Sequence, residues 1–232
     1  MLSGCVSSAE YEPPSGFRSA LPEQTFGGGL SGESITDSEW KAIINATLNS
    51  VVKVEVETCD GSGSGSGFRI GNWIVTNRHV VEDAIRVDLK TLDQKYFQVK
   101  SWYPSSEDDL ALLELPPSSI SPLQSASPDA IPGDLVALVG YPLGGEQDVR
   151  RGRIFDIEDP REQDSKTFIF SVTAEALPGD SGGPAINAQG QVIGVTYAIN
   201  LIESRALVVP VSRVRELLQS RPDKATPKEC SE

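Results

Sequence analysis

The string Gly179-Asp180-Ser181-Gly182-Gly183-Pro184 is the part of this sequence best suited to covalent chemistry. A serine hydroxyl is a poor nucleophile until a neighbouring base takes its proton. The oxyanion formed when it attacks an acyl carbon needs backbone N–H groups aimed at it. Glycines beside the serine permit the tight backbone path that turns those amides inward. The base must come from elsewhere, and the chain has one histidine, His79, within Thr76-Asn77-Arg78-His79-Val80-Val81. That segment follows the apolar run Trp73-Ile74-Val75, so His79 is expected at a strand end, at the start of a helical turn, facing a cleft. A histidine base in turn needs one carboxylate to set its tautomer and stabilise the imidazolium. Asp108-Asp109, just before Leu110-Ala111-Leu112-Leu113, offers two.

Composition removes several other chemistries. The 232 residues carry 20 Lys and Arg against 33 Asp and Glu, a net charge of −13. Nucleic-acid binding needs a basic face, so no nucleic-acid partner is expected. A single histidine excludes multi-histidine metal sites, and three cysteines exclude a four-cysteine zinc site. At most one disulfide can form; Cys59–Cys230 is the candidate pair, and the sequence leaves it open. No apolar run approaches the ~20 residues of a membrane span.

The elements that must position these residues read as strands. Val52, Val54 and Val56 alternate with Lys53, Glu55 and Glu57, and Ile85, Val87 and Leu89 alternate with Arg86, Asp88 and Lys90. Further strands are expected at 67–70, 73–76, 95–101, 110–115, 135–139, 149–157, 166–172, 184–188, 191–198 and 206–210. The 21 glycines and 16 prolines fit the many turns this requires. Gly61-Ser62-Gly63-Ser64-Gly65-Ser66-Gly67 lacks the ending of a phosphate-binding loop and reads as a flexible hairpin loop. Thr36-Asp37-Ser38-Glu39 fits a capping box for a short helix at about 37–48, and Val214, Leu217 and Leu218 mark a closing helix after Pro210. The domain expectation is a Gly/Ser/Pro-rich tail over 1–35, a folded domain over 36–221 and a frayed polar tail over 222–232. The fold class is all-β, with short N- and C-terminal helices.

Together the three segments resemble the trypsin-like serine proteases, whose chain order is His79, Asp109, Ser181 in this numbering. The closer resemblance is to the HtrA/Deg family. Gly65-Ser66-Gly67-Phe68, Ile74-Val75-Thr76-Asn77-Arg78-His79-Val80-Val81, Asp109-Leu110-Ala111-Leu112-Leu113, Gly140-Tyr141-Pro142-Leu143-Gly144, Gln191-Val192-Ile193-Gly194-Val195 and Ala206-Leu207-Val208-Val209-Pro210 carry it, over residues 50–220. The resemblance implies two perpendicular six-stranded β-barrels with a cleft between them. It implies Ser181 as nucleophile, His79 as base and then acid, Asp109 rather than Asp108 as the orienting acid, and the N–H groups of Gly179 and Ser181 as the oxyanion hole. It implies a serine endopeptidase acting on polypeptides, unfolded or damaged ones in particular, with no metal and no organic cofactor. The alternative is a latent or inactive protease-like binding module.

The chain departs from the family pattern in ways that carry expectations. It ends soon after the closing helix, so the protease domain is expected without a PDZ domain. Asp180 stands where HtrA members commonly have Asn, and in trypsin-like zymogens that aspartate pairs with a newly cut N-terminus. No Ile-Val-Gly-Gly activation site is present, so the expectation is an internal partner, Arg150, Arg151 or Arg153, and no proteolytic activation. The substrate pocket would use Glu175, Ala176, Tyr197 and Ile199. A buried Glu175 would favour Lys or Arg before the cleaved bond; the family resemblance and the bulk of Ile199 favour small aliphatic residues. Leu2-Ser3-Gly4-Cys5 resembles a bacterial lipobox, which would make Cys5 a lipid anchor and the location extracytoplasmic, periplasmic or surface-tethered. Family members often assemble through N-terminal segments, so a homo-oligomer is a further expectation, with the 37–48 helix as its element.

Overall fold

The computed structural model describes residues 35–115, 118–158, 168–200, 205–220 and 222–230, with backbone alone for 198–200. The tail expected at 1–35, with Cys5, lies outside the described residues except for Ile35. Helix α1 (Asp37–Thr47) starts as its capping box requires. The Thr36 hydroxyl accepts from the Glu39 N–H, and the Glu39 carboxylate accepts from the Thr36 N–H at 2.8 Å.

Among the described residues thirteen strands follow: β1 (Val51–Thr58), β2 (Gly61–Ile70), β3 (Trp73–Thr76), β4 (Ala84–Lys90), β5 (Tyr96–Val99), β6 (Trp102–Pro104), β7 (Ala111–Glu114), β8 (Leu135–Gly140), β9 (Asp148–Glu158), β10 (Ile169–Val172), β11 (Pro184–Ile186), β12 (Val192–Asn200) and β13 (Arg205–Pro210). A one-turn helix, α2 (Arg78–Val81), follows β3, and α3 (Val211–Ser220) closes the second sheet. The second sheet is a closed six-stranded barrel, in the order β10-β13-β12-β11-β8-β9. The first is a seven-stranded sheet in the order β5-β4-β1-β2-β3-β7-β6.

The first sheet carries one strand more than expected, because 95–101 continues beyond Val99 and changes neighbours. Val99 pairs with Val87 on β4, whereas Trp102 pairs with Leu113 on β7. One continuous stretch of chain therefore serves both ends of the sheet and draws them into a barrel-like curl. Hydrophobic alternation cannot distinguish one long strand from two short ones joined in this way.

The Gly/Ser run is also different from its sequence reading. It is the first half of β2, paired residue for residue with β1 from Thr58↔Gly61 to Val52↔Gly67. Gly and Ser have low strand propensity, but the ladder is made by backbone and only the partner strand needs the apolar side chains. Close approach explains the glycines: a Cβ on Gly65 would sit within 3 Å of Val80 and against the Ser181 carbonyl.

Each sheet has its own core. Val52, Val54, Ile74, Leu89 and Leu113 fill the first, and Val136, Leu138, Ile154, Phe170 and Ile193 fill the second. A third cluster joins them, with Phe68, Val75 and Leu112 of the first sheet against Val139, Ile186 and Val195 of the second. Trp40 of α1, 4% exposed, and Val214 and Leu217 of α3 belong to this seam. The apolar face of α1 is thus spent on its own domain. Among the described residues, no helix is long and apolar enough to cross a membrane.

Residues 222–230, read from the sequence as part of a frayed tail, run along the first sheet. Ala225 exchanges backbone hydrogen bonds with Trp102, the Lys228 N–H donates to the Ala84 carbonyl, and Lys228 pairs with Asp83. Cys230 is bonded to Cys59 in the β1–β2 turn, across 171 residues of sequence. Backbone pairing and a covalent staple hold a segment whose own side chains are mostly exposed, which hydropathy could not foresee. Closing so long a loop stabilises the folded state by about 2–5 kcal/mol, mainly by restricting the unfolded chain. Urea unfolding of Cys59→Ser, or of the reduced protein, is expected to show a loss of that size with an otherwise native fold.

Candidate functional site

β3 ends at Thr76, and the chain turns into α2 with His79 in its first turn. Arg78 Nη1 donates to the Ser105 carbonyl next to β6 at 3.0 Å, and His79 itself is anchored by Asp109, immediately before Leu110 and β7. Its Oδ1 accepts the His79 backbone N–H at 2.9 Å, and its Oδ2 lies 2.5 Å from His79 Nδ1. Asn77, fully buried, donates through Nδ2 to the Asp109 carbonyl at 2.7 Å and fixes the other end of the same residue. The carboxylate is therefore gripped at both oxygens and along its backbone. Burial by itself raises the Asp109 carboxyl, but the hydrogen bond and charge of His79 outweigh it and hold the group below its ordinary value.

Asp108 points elsewhere. Its Oδ2 receives Arg213 Nε at 3.0 Å and Arg213 Nη2 at 2.9 Å, from α3. The chain bends through both residues between β6 and β7, so one aspartate of the pair meets the histidine and the other bolts the closing helix to the first sheet.

Ser181 and Gly179 lie on the loop before β11. A cavity of about 470 Å³ brings His79, Gly179 and Ser181 together with Gly61–Ser64 of β2. The Ser181 hydroxyl donates to the Tyr197 carbonyl at 3.4 Å, and no hydrogen bond joins it to His79. Among the described residues, neither the Gly179 N–H nor the Ser181 N–H has an acceptor. The Leu143 N–H holds the Pro178 carbonyl at 2.6 Å. A trans peptide points its N–H opposite to its C=O, so the Gly179 N–H is turned away from Leu143. Gly182 has φ +89°, and a Cβ there would drive into the Ser66 carbonyl. Only glycine fits at that point of the loop.

Ser66, to which the Gly-Ser-Gly-Phe motif gives no role of its own, holds this loop. It is 0% exposed. Its hydroxyl donates to the Gly179 carbonyl at 2.7 Å and accepts from the Tyr141 N–H at 2.9 Å, while its N–H donates to the Ser181 carbonyl at 2.7 Å. The contacts span 113 and 75 residues, and nothing in the local sequence marks them.

Of the three arginines considered for Asp180, Arg150 is the partner. Its Nη2 lies 2.5 Å from Asp180 Oδ2, which also accepts the Leu177 N–H at 2.7 Å. Arg151 pairs with Asp37 of α1, and Arg153 donates to the Gly133 carbonyl. Asp180 is 2% exposed, and that burial holds its carboxyl above the ordinary value, although Leu177 and Arg150 pull it down.

The residues expected to form a substrate pocket are less tightly gathered. Glu175 is exposed, so no buried carboxylate forms a pocket floor there. Ala176 is buried and Tyr197 half-buried, its hydroxyl pushed above the ordinary value by burial and by the charges of Glu158 and Asp109. The Ile199 side chain lies outside the described residues. Glu175, Ala176 and Tyr197 do not line the 470 Å³ cavity.

Comparison with known proteins places this geometry in a family context. The family model for the trypsin-like peptidase domain matches residues 63–195. A putative serine protease HhoA of Synechocystis is 34% identical over 148 residues, 60% of this chain and 37% of that protein. A probable periplasmic serine protease do/HhoA-like of Haemophilus influenzae is 30% identical over 144 residues, 59% of this chain and 31% of that protein. The chain spans roughly a third of the length of these curated relatives. The active form of the Rv3671c protease of M. tuberculosis superposes with a TM-score of 0.72 at 28% identity, covering 81% of this chain and 86% of that one.

Removing one member of a buried ion pair strands the other, at a cost of about 3–5 kcal/mol. Arg150→Met is expected to lose stability on that scale in urea unfolding. Adding Asp180→Asn, which removes the stranded charge, is expected to recover most of the loss.

Proposed function

The chain belongs to the trypsin-like peptidase family, and on that basis we propose that it is a serine endopeptidase working through Ser181, His79 and Asp109. One observation carries the reading: the imidazole held by Asp109 and the hydroxyl of Ser181 open into one cavity, beside two backbone amides without acceptors. With its Nδ1–H donated to Asp109, His79 presents Nε2 as the proton acceptor. Ser181 Oγ turns from the Tyr197 carbonyl toward Nε2 as it gives up its proton and attacks the peptide carbonyl. The oxyanion is met by the N–H groups of Gly179 and Ser181. His79 then protonates the departing amine, and water hydrolyses the acyl-enzyme by the same route in reverse.

An exposed Glu175 supports small aliphatic residues, rather than Lys or Arg, before the cleaved bond. Unfolded or damaged polypeptides are the proposed substrate class. The Cys59–Cys230 bond supports an oxidising, extracytoplasmic setting, as does the periplasmic designation of the Haemophilus relative. Cys5 is the proposed lipid anchor, and assembly into a homo-oligomer is part of the same proposal. The second reading, a latent or inactive binding module, is favoured by one feature: the Ser181 hydroxyl rests on the Tyr197 carbonyl instead of on His79. Catalytic hydrogen bonds are often long or misaligned in an empty enzyme and tighten with substrate.

Labelling by a fluorophosphonate probe separates the two readings. Labelling of the wild type that is lost in Ser181→Ala and His79→Ala is the expected result; a well-folded wild type that stays unlabelled would support the binding module. Asp109→Asn is expected to lower kcat on the order of ten-thousandfold, because the wrong tautomer is then presented to Ser181. Ser66→Ala leaves the Gly179 carbonyl and the Tyr141 N–H without their shared partner. It is expected to lower kcat by about tenfold to a hundredfold with KM little changed, since the oxyanion amides act in the transition state.

A further inference from the structure

The cavity at Ser181 has a chemical character that the triad does not require. It is lined by β1 and β2 (Val56, Thr58, Gly61–Ser64), by the turn residue Asp60, by His79, Val80 and Glu82, and by the Pro178–Ser181 loop. Neither Ala176 nor Tyr197 lines it, so it is separate from the described residues proposed to receive the acyl side chain. A polypeptide crossing Ser181 would therefore lay its leaving-group side here.

β2 presents a free edge along this cavity. Its pairing with β3 begins only at Phe68, whereas its pairing with β1 starts at Gly61. The Ser66 N–H and C=O point away from β1, to the Ser181 carbonyl and the Thr76 hydroxyl. Backbone groups alternate along a strand, so Ser64 and Ser62 direct theirs the same way, toward an extended chain in the cavity. Gly63 adds no side chain, and a Cβ there would meet nothing within 4 Å.

Two carboxylates edge this cavity, Asp60 and Glu82, both exposed. Among the described residues neither side chain has an ion pair or a hydrogen bond, whereas the neighbouring Asp83 is neutralised by Lys228. Among the described residues, no Lys or Arg lines the cavity. The geometry points to a subsite for a basic side chain, Lys or Arg, within the first few residues after the scissile bond, with Asp60 and Glu82 as its specificity-determining groups. This rests on the serine endopeptidase reading, because it assigns the direction in which the substrate lies.

Internally quenched peptides that share one sequence before the cleaved bond, and carry Lys, Ala or Glu at each of the first four positions after it, test the assignment. An exposed ion pair contributes little, about threefold in kcat/KM for each carboxylate. At the best position Lys is expected to exceed Glu by about tenfold, and the ratio to shrink at about 0.5 M salt through screening. The ratio is expected to approach one in D60N/E82Q and to invert in D60K/E82K. Equal turnover of Lys and Glu peptides by the wild type would overturn the assignment while leaving the protease reading intact. So would a Lys preference that survives in both double variants. A wild type that neither cleaves any peptide nor takes the fluorophosphonate label would remove the premise, and the subsite with it.

Discussion

Ser66 is the point at which the first sheet grips the nucleophile loop of the second. Its N–H, carbonyl and hydroxyl are all engaged, and the residues they touch lie on three segments: Thr76 at the end of β3, Tyr141 after β8, and Gly179 and Ser181 on the loop before β11. A site assembled from two sheets has a general difficulty. His79 and Asp109 belong to one body and Ser181 to the other, so in the proposed endopeptidase a small slip between them would misplace the reacting atoms. A misplacement of about 1 Å can cost a hundredfold in rate. The seam of Phe68, Val75, Val139 and Ile186 supplies cohesion without direction. The hydrogen bonds of Ser66 supply the direction.

The aspartates around the site show how environment divides one residue type into different roles. Asp109 is partly buried, yet the imidazole across from it holds its proton affinity down, as the proposed role of an anion beneath a histidine base requires. Asp180 is nearly sealed, and burial holds it up despite Arg150 and the Leu177 amide. A buried pair of this kind is weak support for stability in itself but strongly constrains geometry, because neither partner can leave without stranding the other. Asp180 precedes Ser181 directly, so that constraint falls on the nucleophile loop. Asp108 spends its carboxylate on Arg213 and ties α3 across to the first sheet.

The Gly-Ser run connects the architecture with recognition. Its glycines let β2 pass close to Val80 and the Ser181 carbonyl, and its first residues leave a strand edge and little side-chain bulk beside the catalytic cavity. The neighbouring turn is stapled through Cys59 to Cys230. A strand with few packing side chains is thus steadied by β1 on one edge and by a disulfide at its end.

The amino-acid sequence by itself determined what depends on local pattern. Period-two alternation marked β1 and β4, the Thr36 capping box marked α1, and the His79, Asp109 and Ser181 motifs stood out because each chemistry needs particular residue types in a particular order. Tertiary structure decided what depends on residues meeting from afar. The division of 95–101 into β5 and β6, the choice of Arg150 over Arg151 and Arg153, the exposure of Glu175 and the hold of Ser66 on Gly179 have no local signature. The same is true of the 222–230 strap, whose exposed polar residues are held by backbone pairing and one disulfide. Hydrogen bonds and ion pairs across 30 to 113 residues are fixed by register and packing, not by the identity of neighbours in the chain. Sequence narrowed the candidates for Asp180 to three; only the direction of each side chain on β9 could select one.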